Sequence, residues 1–181
     1  MSEGKNRKVP AAAPTRRQLI AGGAVAVAGL ALGATNAGAQ EKMTETQSTG
    51  PDKARTSLHQ EVDLKASAHR IYDILLDSKQ FGAFSGEPAE ISREVGGAFS
   101  MFGGKIMGRN VELVPDQRIV QAWRPAHWDP GEYSMVRFEL KQDGSQTKVV
   151  LDHTGFHEGE FGPLDSGWRA HYWERLAKYL G

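Results

Sequence analysis

His153 is the polar residue with the most chemistry open to it. It ends the run Gln146-Thr147-Lys148-Val149-Val150-Leu151-Asp152-His153. Strand alternation sends Thr147, Val149, Leu151 and His153 to one side, the more apolar one, which therefore faces the core. A neutral imidazole there could act as a general base or hold a polar head group. The plainer reading is a core histidine satisfied by a backbone carbonyl or by water. Asp152 points to the opposite face, so the two do not pair directly unless the strand bulges at Gly155. Glu112 and Arg109 lie on a strand with no clear apolar face. Inward, they could pair or orient a ligand; outward, they are ordinary solvated charges.

Other reaction chemistries find little support. The chain has no cysteine, which excludes thiolate nucleophiles, thiolate metal sites and disulfides. His153, His157, Glu158 and Glu160 carry suitable atoms but no recognised ligand spacing, so no metal is expected. There is no phosphate-binding glycine loop, no Gly-x-Ser-x-Gly and no supported Ser/His/Asp set. No cofactor is expected, and the catalytic residues are unknown, with His153 the candidate.

The aromatic residues suggest a container. Any one of Phe99, Phe102, Phe138, Trp123, Trp128 and Trp168 reads best as core filler. Four tryptophans in one small domain nevertheless favour a cavity or groove edge, because indole is hard to bury completely. Trp123 and Trp168 belong nearest a sheet–helix interface. Trp128, in a loop between His127 and Asp129, belongs at the cavity mouth or on the surface. The residues expected to line the cavity are Phe99, Phe102, Trp123, Phe138, Leu151, His153, Trp168 and Tyr172.

The elements that must position these residues are legible in order. Leu58, Val62 and Leu64 alternate with charged residues as a half-buried strand. Ser67 is a helix N-cap, and Ser67 to Leu76 is amphipathic. Asp77 to Phe84 reads as a second short helix or turn, and Glu90 to Arg93 as a weak strand. Five strands follow in a meander: Ala98 to Phe102, Lys105 to Val114, Arg118 to Arg124, Tyr133 to Lys141 and Gln146 to Gly155. Gly103-Gly104, Pro115-Asp116 and Asp143-Gly144 supply the turns between them, and Pro125 to Gly131 is a longer aromatic loop. Phe161 to Tyr179 is the last helix, with Leu164, Trp168, Tyr172, Leu176 and Leu180 on one stripe. A curved antiparallel sheet with one apolar face must be covered by that C-terminal helix, an α+β fold that can leave a cavity between the two.

Upstream, charge is unevenly spread. The first 39 residues carry Lys5, Arg7, Lys8, Arg16 and Arg17 against Glu3. Taking them from the 22 basic and 22 acidic residues leaves 17 and 21, a net charge of −4. Such a mildly acidic body has no electrostatic footprint for nucleic acid. Residues 1–39 read as a signal peptide: a basic start, the apolar run Leu19 to Leu32, and Ala37-Gly38-Ala39 as a cleavage site. The run is short of the roughly 20 apolar residues a bilayer span needs. After cleavage, the protein would not span a membrane. Thr15-Arg16-Arg17-Gln18-Leu19-Ile20 resembles the twin-arginine export signal, which implies periplasmic localisation. Residues 40–55 are polar and aperiodic, a disordered linker, and residues 56–181 form the domain.

Phe102-Gly103-Gly104, Gly108, Glu112-Leu113-Val114-Pro115, Ile119-Val120 and Trp123-Arg124 together resemble the C-terminal domain of activators of the heat-shock protein 90 ATPase. The resemblance continues through Trp128, Pro130-Gly131, Ser134 to Leu140, Gly155, Gly167-Trp168 and Tyr172-Trp173. It implies the helix-grip fold of the START-like (SRPBCC) superfamily, whose members often hold an apolar ligand between sheet and helix. An export leader, and no separate N-terminal domain of the eukaryotic kind, set this chain apart from a cytosolic chaperone's partner. The leading expectation is therefore an exported protein binding a small hydrophobic or amphipathic ligand in the sheet–helix cavity. A protein-interaction or co-chaperone-like domain is the alternative, and a cavity enzyme with His153 as base the third. Whether the domain is an enzyme stays uncertain.

Overall fold

Pro115-Asp116 and Asp143-Gly144 do what their chemistry requires: each closes a tight turn between paired strands. Asp116 (φ 60) and Gly144 (φ 56) both sit in the left-handed region such turns use. The computed structural model describes residues 51–181. The expected signal peptide, residues 1–39, and most of the expected linker, residues 40–55, lie outside the described residues. Within the linker reading, Pro51–Ala54 form a 3₁₀ turn. The Gly159 N–H donates to the Lys53 carbonyl at 2.9 Å, and the Arg55 guanidinium lies 3.5 Å from the centre of the Phe161 ring.

The chain runs β1 (Ser57–Leu64), α1 (Ala68–Leu76), α2 (Ser78–Ser85), then β2 (Glu90–Ile91) and β3 (Ala98–Met101). After these come β4 (Ile106–Val114), β5 (Arg118–Pro125), β6 (Ser134–Asp143) and β7 (Gln146–Thr154). All seven strands join one antiparallel sheet in the order β1-β7-β6-β5-β4-β3-β2. Strands β2 to β7 are a meander, and only β1 is out of sequence, pairing with β7. Ser67 caps α1 by accepting the Arg70 N–H at 3.2 Å, and Asp77 caps α2 through the Gln80 N–H at 2.8 Å. The ladder is irregular between Asn110 and Glu112. This bulge leaves Val111 exposed and turns Glu112 outward, where Arg118 grips it with two hydrogen bonds of 3.0 and 2.8 Å.

The C-terminal helix is continuous but not uniform. Phe161–Gly167 is α-helical (α3), Trp168–Trp173 is π-helical and Glu174–Leu180 is α-helical again (α4). In the π stretch the Glu174 N–H reaches back five residues to the Arg169 carbonyl. A π turn inserts an extra residue per turn, so Trp168, Tyr172 and Trp173 are all buried. The i, i+4 stripe expected from sequence contains the first two and omits Trp173. With α1 and α2, this helix covers the sheet's inner face and closes one core around Phe81, Phe138, Ile119, Leu151 and Leu176. This is the helix-grip α+β fold expected from the sequence.

Candidate functional site

Each of three inner-face polar side chains of the sheet accepts the N–H of a buried tryptophan. On β1, Gln60 Oε1 accepts from Trp173 Nε1 at 2.6 Å, while its amide nitrogen donates to the Asp165 carboxylate at 2.8 Å. On β5, Gln121 Oε1 accepts from Trp123 Nε1 at 2.9 Å, and Gln121 in turn donates to Asn110 Oδ1 at 2.9 Å. On β7, His153 Nδ1 accepts from Trp168 Nε1 at 3.1 Å. Indole is a donor only. Nδ1 must therefore be the acceptor, and the imidazole proton sits on Nε2, donating to Ser134 Oγ at 2.8 Å. Burial pushes the His153 pKa down to about 4, which keeps the ring neutral and both nitrogens engaged. A histidine so placed ties helix to sheet and has no free nitrogen for a substrate.

Asp152, one residue away, points outward as alternation requires. It pairs with His59 at 2.7 Å and Arg137 at 2.7 Å, and these partners hold its pKa down against the opposing effect of its partial burial. Trp128 departs from expectation. It is buried (5% exposed) rather than at the cavity mouth or on the surface, and its ring stacks on His157 with centroids 4.2 Å apart. Its indole N–H has no hydrogen-bond partner among the described residues. Neither do His153, His157, Glu158 and Glu160 gather: among the described residues no three such side chains are arranged to hold a metal.

A cavity of about 250 Å³ remains where the C-terminal helix passes the β4–β5 end of the sheet. Of the eight residues expected to line a cavity, Phe102, Trp123, Trp168 and Tyr172 do so. Phe99, Phe138, Leu151 and His153 are buried in the core outside its walls. Phe102 lines the cavity from the left-handed region, at φ 53, a conformation a bulky residue keeps only when its surroundings enforce it. Tyr172 is packed edge-on against Phe81, Phe84 and Phe102, at 5.7 to 5.9 Å. Burial alone raises the pKa of its hydroxyl. At the rim Lys105 Nζ meets Glu87 Oε2 at 2.8 Å. The volume falls below the roughly 300–1,000 Å³ of most small-molecule pockets, so only a small occupant fits without repacking. Sequence reasoning did not find Gln60, Gln121, Trp173, Lys105 or Glu87. For the two glutamines the signal was there: each is a polar residue at an inward position of an otherwise apolar strand face.

Residues 65–181 match the family model described as Activator of Hsp90 ATPase homolog 1-like protein. The chain belongs to this family. Among curated relatives, the activator of 90 kDa heat shock protein ATPase homolog of Dictyostelium discoideum is 32% identical over 115 residues. That alignment takes in 63% of this chain and 30% of the relative. The human homolog 1 is 25% identical over 115 residues, 64% of this chain and 34% of the human protein. The chain thus spans about a third of the length of the curated relatives it matches. Among solved structures, an HSP90 activator from Plasmodium falciparum superposes with TM-score 0.67 at 24% identity, over 70% of this chain and 97% of that one. The Aha1 dimer from Colwellia psychrerythraea gives 0.60 at 20% identity, over 70% and 96%. At these identities, the structural likeness shows the fold alone.

Proposed function

We propose that this chain is a protein-binding domain of the activator type, which docks on an Hsp90-type ATPase and raises its turnover. The carrying observation is the family match over residues 65–181, with a relative named as such an activator at 32% identity. The closed hydrogen bonding of His153 supports binding over catalysis, because the one candidate base has no nitrogen to offer. The test is ATP turnover by an Hsp90-type chaperone of the source organism, with and without the full chain. Faster turnover together with a co-eluting complex is the expected result. No complex and an unchanged rate would overturn the reading.

The cavity supports a second reading, a small apolar or amphipathic ligand held against Phe102, Trp123, Trp168 and Tyr172. Native mass spectrometry of the protein, recovered without detergent, should then show a mass excess that denaturation removes. The two readings part on location. The arginine pair in Thr15-Arg16-Arg17-Gln18 supports export, whereas an ATP-dependent chaperone works where ATP is supplied. Fusing residues 1–39 to a reporter that must be exported folded, with Arg16 and Arg17 intact or both changed to Lys, tests this. Arginine-dependent export would favour the ligand reading; retention of the reporter would favour the activator.

A further inference from the structure

The sheet's solvent side is salt-bridged over most of its area and conspicuously not in one place. Arg118 pairs with Glu112, and Arg137 with Asp152 and Glu139. Lys148 pairs with Glu61 and Asp63 on the strand beside it. Arg109 and Arg124, on the same side of β4 and β5, have no carboxylate partner among the described residues. Arg124 is nonetheless fixed. Its Nη1 donates to the Trp128 carbonyl at 3.0 Å, and its Nη2 lies 3.9 Å from Met107 Sδ. Arg109 donates to the Gly96 carbonyl at 3.2 Å. Register places Arg109 opposite Ala122 and Met107 opposite Arg124, so the two guanidinium-bearing residues are diagonal neighbours, about 7–8 Å apart at Cα.

Both arginines line an open groove of about 610 Å³ across β2 to β5. Its floor is small: the outward Ala98 and Ser100 leave the backbone close to the surface. Tyr133, 46% exposed, borders it, and Met135, 37% exposed, continues the apolar strip along β6. The groove's one acid is Glu90, opposite Ser100 on β2. It lies three strands from Arg124, about 14 Å away at the usual strand spacing, too far to neutralise it.

We propose that this groove docks an extended, acidic segment of a partner protein, its carboxylates on Arg109 and Arg124 and its apolar side chains against Tyr133 and Met107. The proposal deepens the protein-partner reading and rests on it. Charge complementarity carries it: a guanidinium held in place by a backbone carbonyl and left without a carboxylate is set to form charge-assisted, two-pronged hydrogen bonds. Bulk attraction does not account for such docking, because residues 40–181 carry a net charge of −4. Exposed aromatic and methionine side chains beside arginine are the composition that protein interfaces favour.

The test uses the full chain and a fluorescent peptide of alternating Glu and Leu, followed by anisotropy. Wild type should bind it, with affinity falling as salt rises. Arg109→Gln and Arg124→Gln should each weaken binding about tenfold, the usual scale for one lost charge-assisted bond. Because Arg124 also holds the Trp128 carbonyl, Arg109→Glu is the variant that reverses the charge without touching that loop, and it should abolish binding. Arg70→Gln, an exposed arginine outside the groove, should bind like wild type. Absence of salt-sensitive binding by wild type would overturn the proposal, as would unchanged affinity in the Arg109 variants or an equal loss in Arg70→Gln. The same proteins assayed for chaperone ATPase stimulation separate the two claims. Stimulation without peptide binding would remove the groove and keep the partner class, whereas peptide binding without stimulation would do the reverse.

Discussion

The C-terminal helix meets the sheet in two different ways. Near β1 and β7, Trp173 and Trp168 lie flat in the core and hand their N–H groups to Gln60 and His153. Near β4, the same helix stands off and leaves about 250 Å³ beside Phe102 and Trp123, with Trp168 on the boundary between the two ends. One end is close-packed with each polar atom paired; the other is apolar and incompletely filled. The two ends differ in what they tolerate. A paired buried network fixes one helix orientation, since any shift leaves a donor without an acceptor in a low-dielectric core. A void has no such preference and can take up or exclude a guest. The π stretch lets both coexist, by turning Trp173 toward Gln60 while Tyr172 still faces the aromatic wall.

The largest effects should come from the paired end. Trp168→Ala removes a 3%-exposed indole and strands His153 Nδ1; a loss of about 3–5 kcal/mol is expected in urea unfolding. Trp168→Phe keeps much of the ring but not the donor, and should cost about 1–3 kcal/mol. An unchanged midpoint for the phenylalanine variant would mean the bond to His153 contributes nothing and the two ends differ only in packing.

Acid should attack the same end. His153 has a folded pKa of about 4 against an ordinary 6.5, so its neutral form is favoured by folding. That contribution is complete above pH 6.5 and is lost as pH falls from 6.5 toward 4, by about 3 kcal/mol in all. His59 and His69 work in the opposite sense. Their carboxylate partners raise their pKa values, so their contributions are present at low pH and fade as pH rises through the folded values. Both are exposed, and screening keeps their effect small. Stability of wild type minus that of His153→Gln, measured from pH 7 to pH 4, isolates the buried ring. A difference independent of pH would mean that His153 is not held neutral by burial.

Most of this architecture was legible in the chain. Alternation placed Thr147, Val149, Leu151 and His153 inward, and Ser67 capped the first helix as its side-chain chemistry demands. The site was less legible, for identifiable reasons. An inward Gln60 looks like noise in an alternating strand until its partner is known, and that partner, Trp173, faces it only because the helix carries a π stretch. Helical periodicity of 3.6 has no way of anticipating that insertion. A loop tryptophan such as Trp128 is expected at a cavity mouth or on the surface, because loop residues are usually exposed. Its burial depends on a stack with His157, 29 positions on in the sequence, which no local pattern encodes.

Enlargement should separate the two ends more gently. Leu164→Trp adds a ring at the cavity wall, and stability should stay within about 1 kcal/mol of wild type, while any mass excess seen by native mass spectrometry disappears. Val136→Leu, at a fully buried position opposite His153, meets a filled core and should cost about 1–3 kcal/mol. Equal costs at the two sites would mean the cavity closes in solution.

The smallest effect expected is a gain. Gly167 lies in the helix beside the cavity, and a Cβ added there would meet nothing within 4 Å. Its φ of −62 and ψ of −44 are ordinary right-handed helix, so alanine needs no change of backbone. Gly167→Ala should therefore raise stability by about 0.5–1 kcal/mol, chiefly by narrowing the unfolded ensemble. If it does so and also weakens ligand retention, the glycine keeps the cavity wall thin at the expense of helix stability. If it stabilises with retention untouched, the void extends past this wall, and its occupant is held by Phe102, Trp123 and Tyr172 instead. A loss of stability would point to the junction with the π stretch: Gly167 immediately precedes Trp168, and a stiffer backbone there would oppose the turn that brings Trp173 to Gln60.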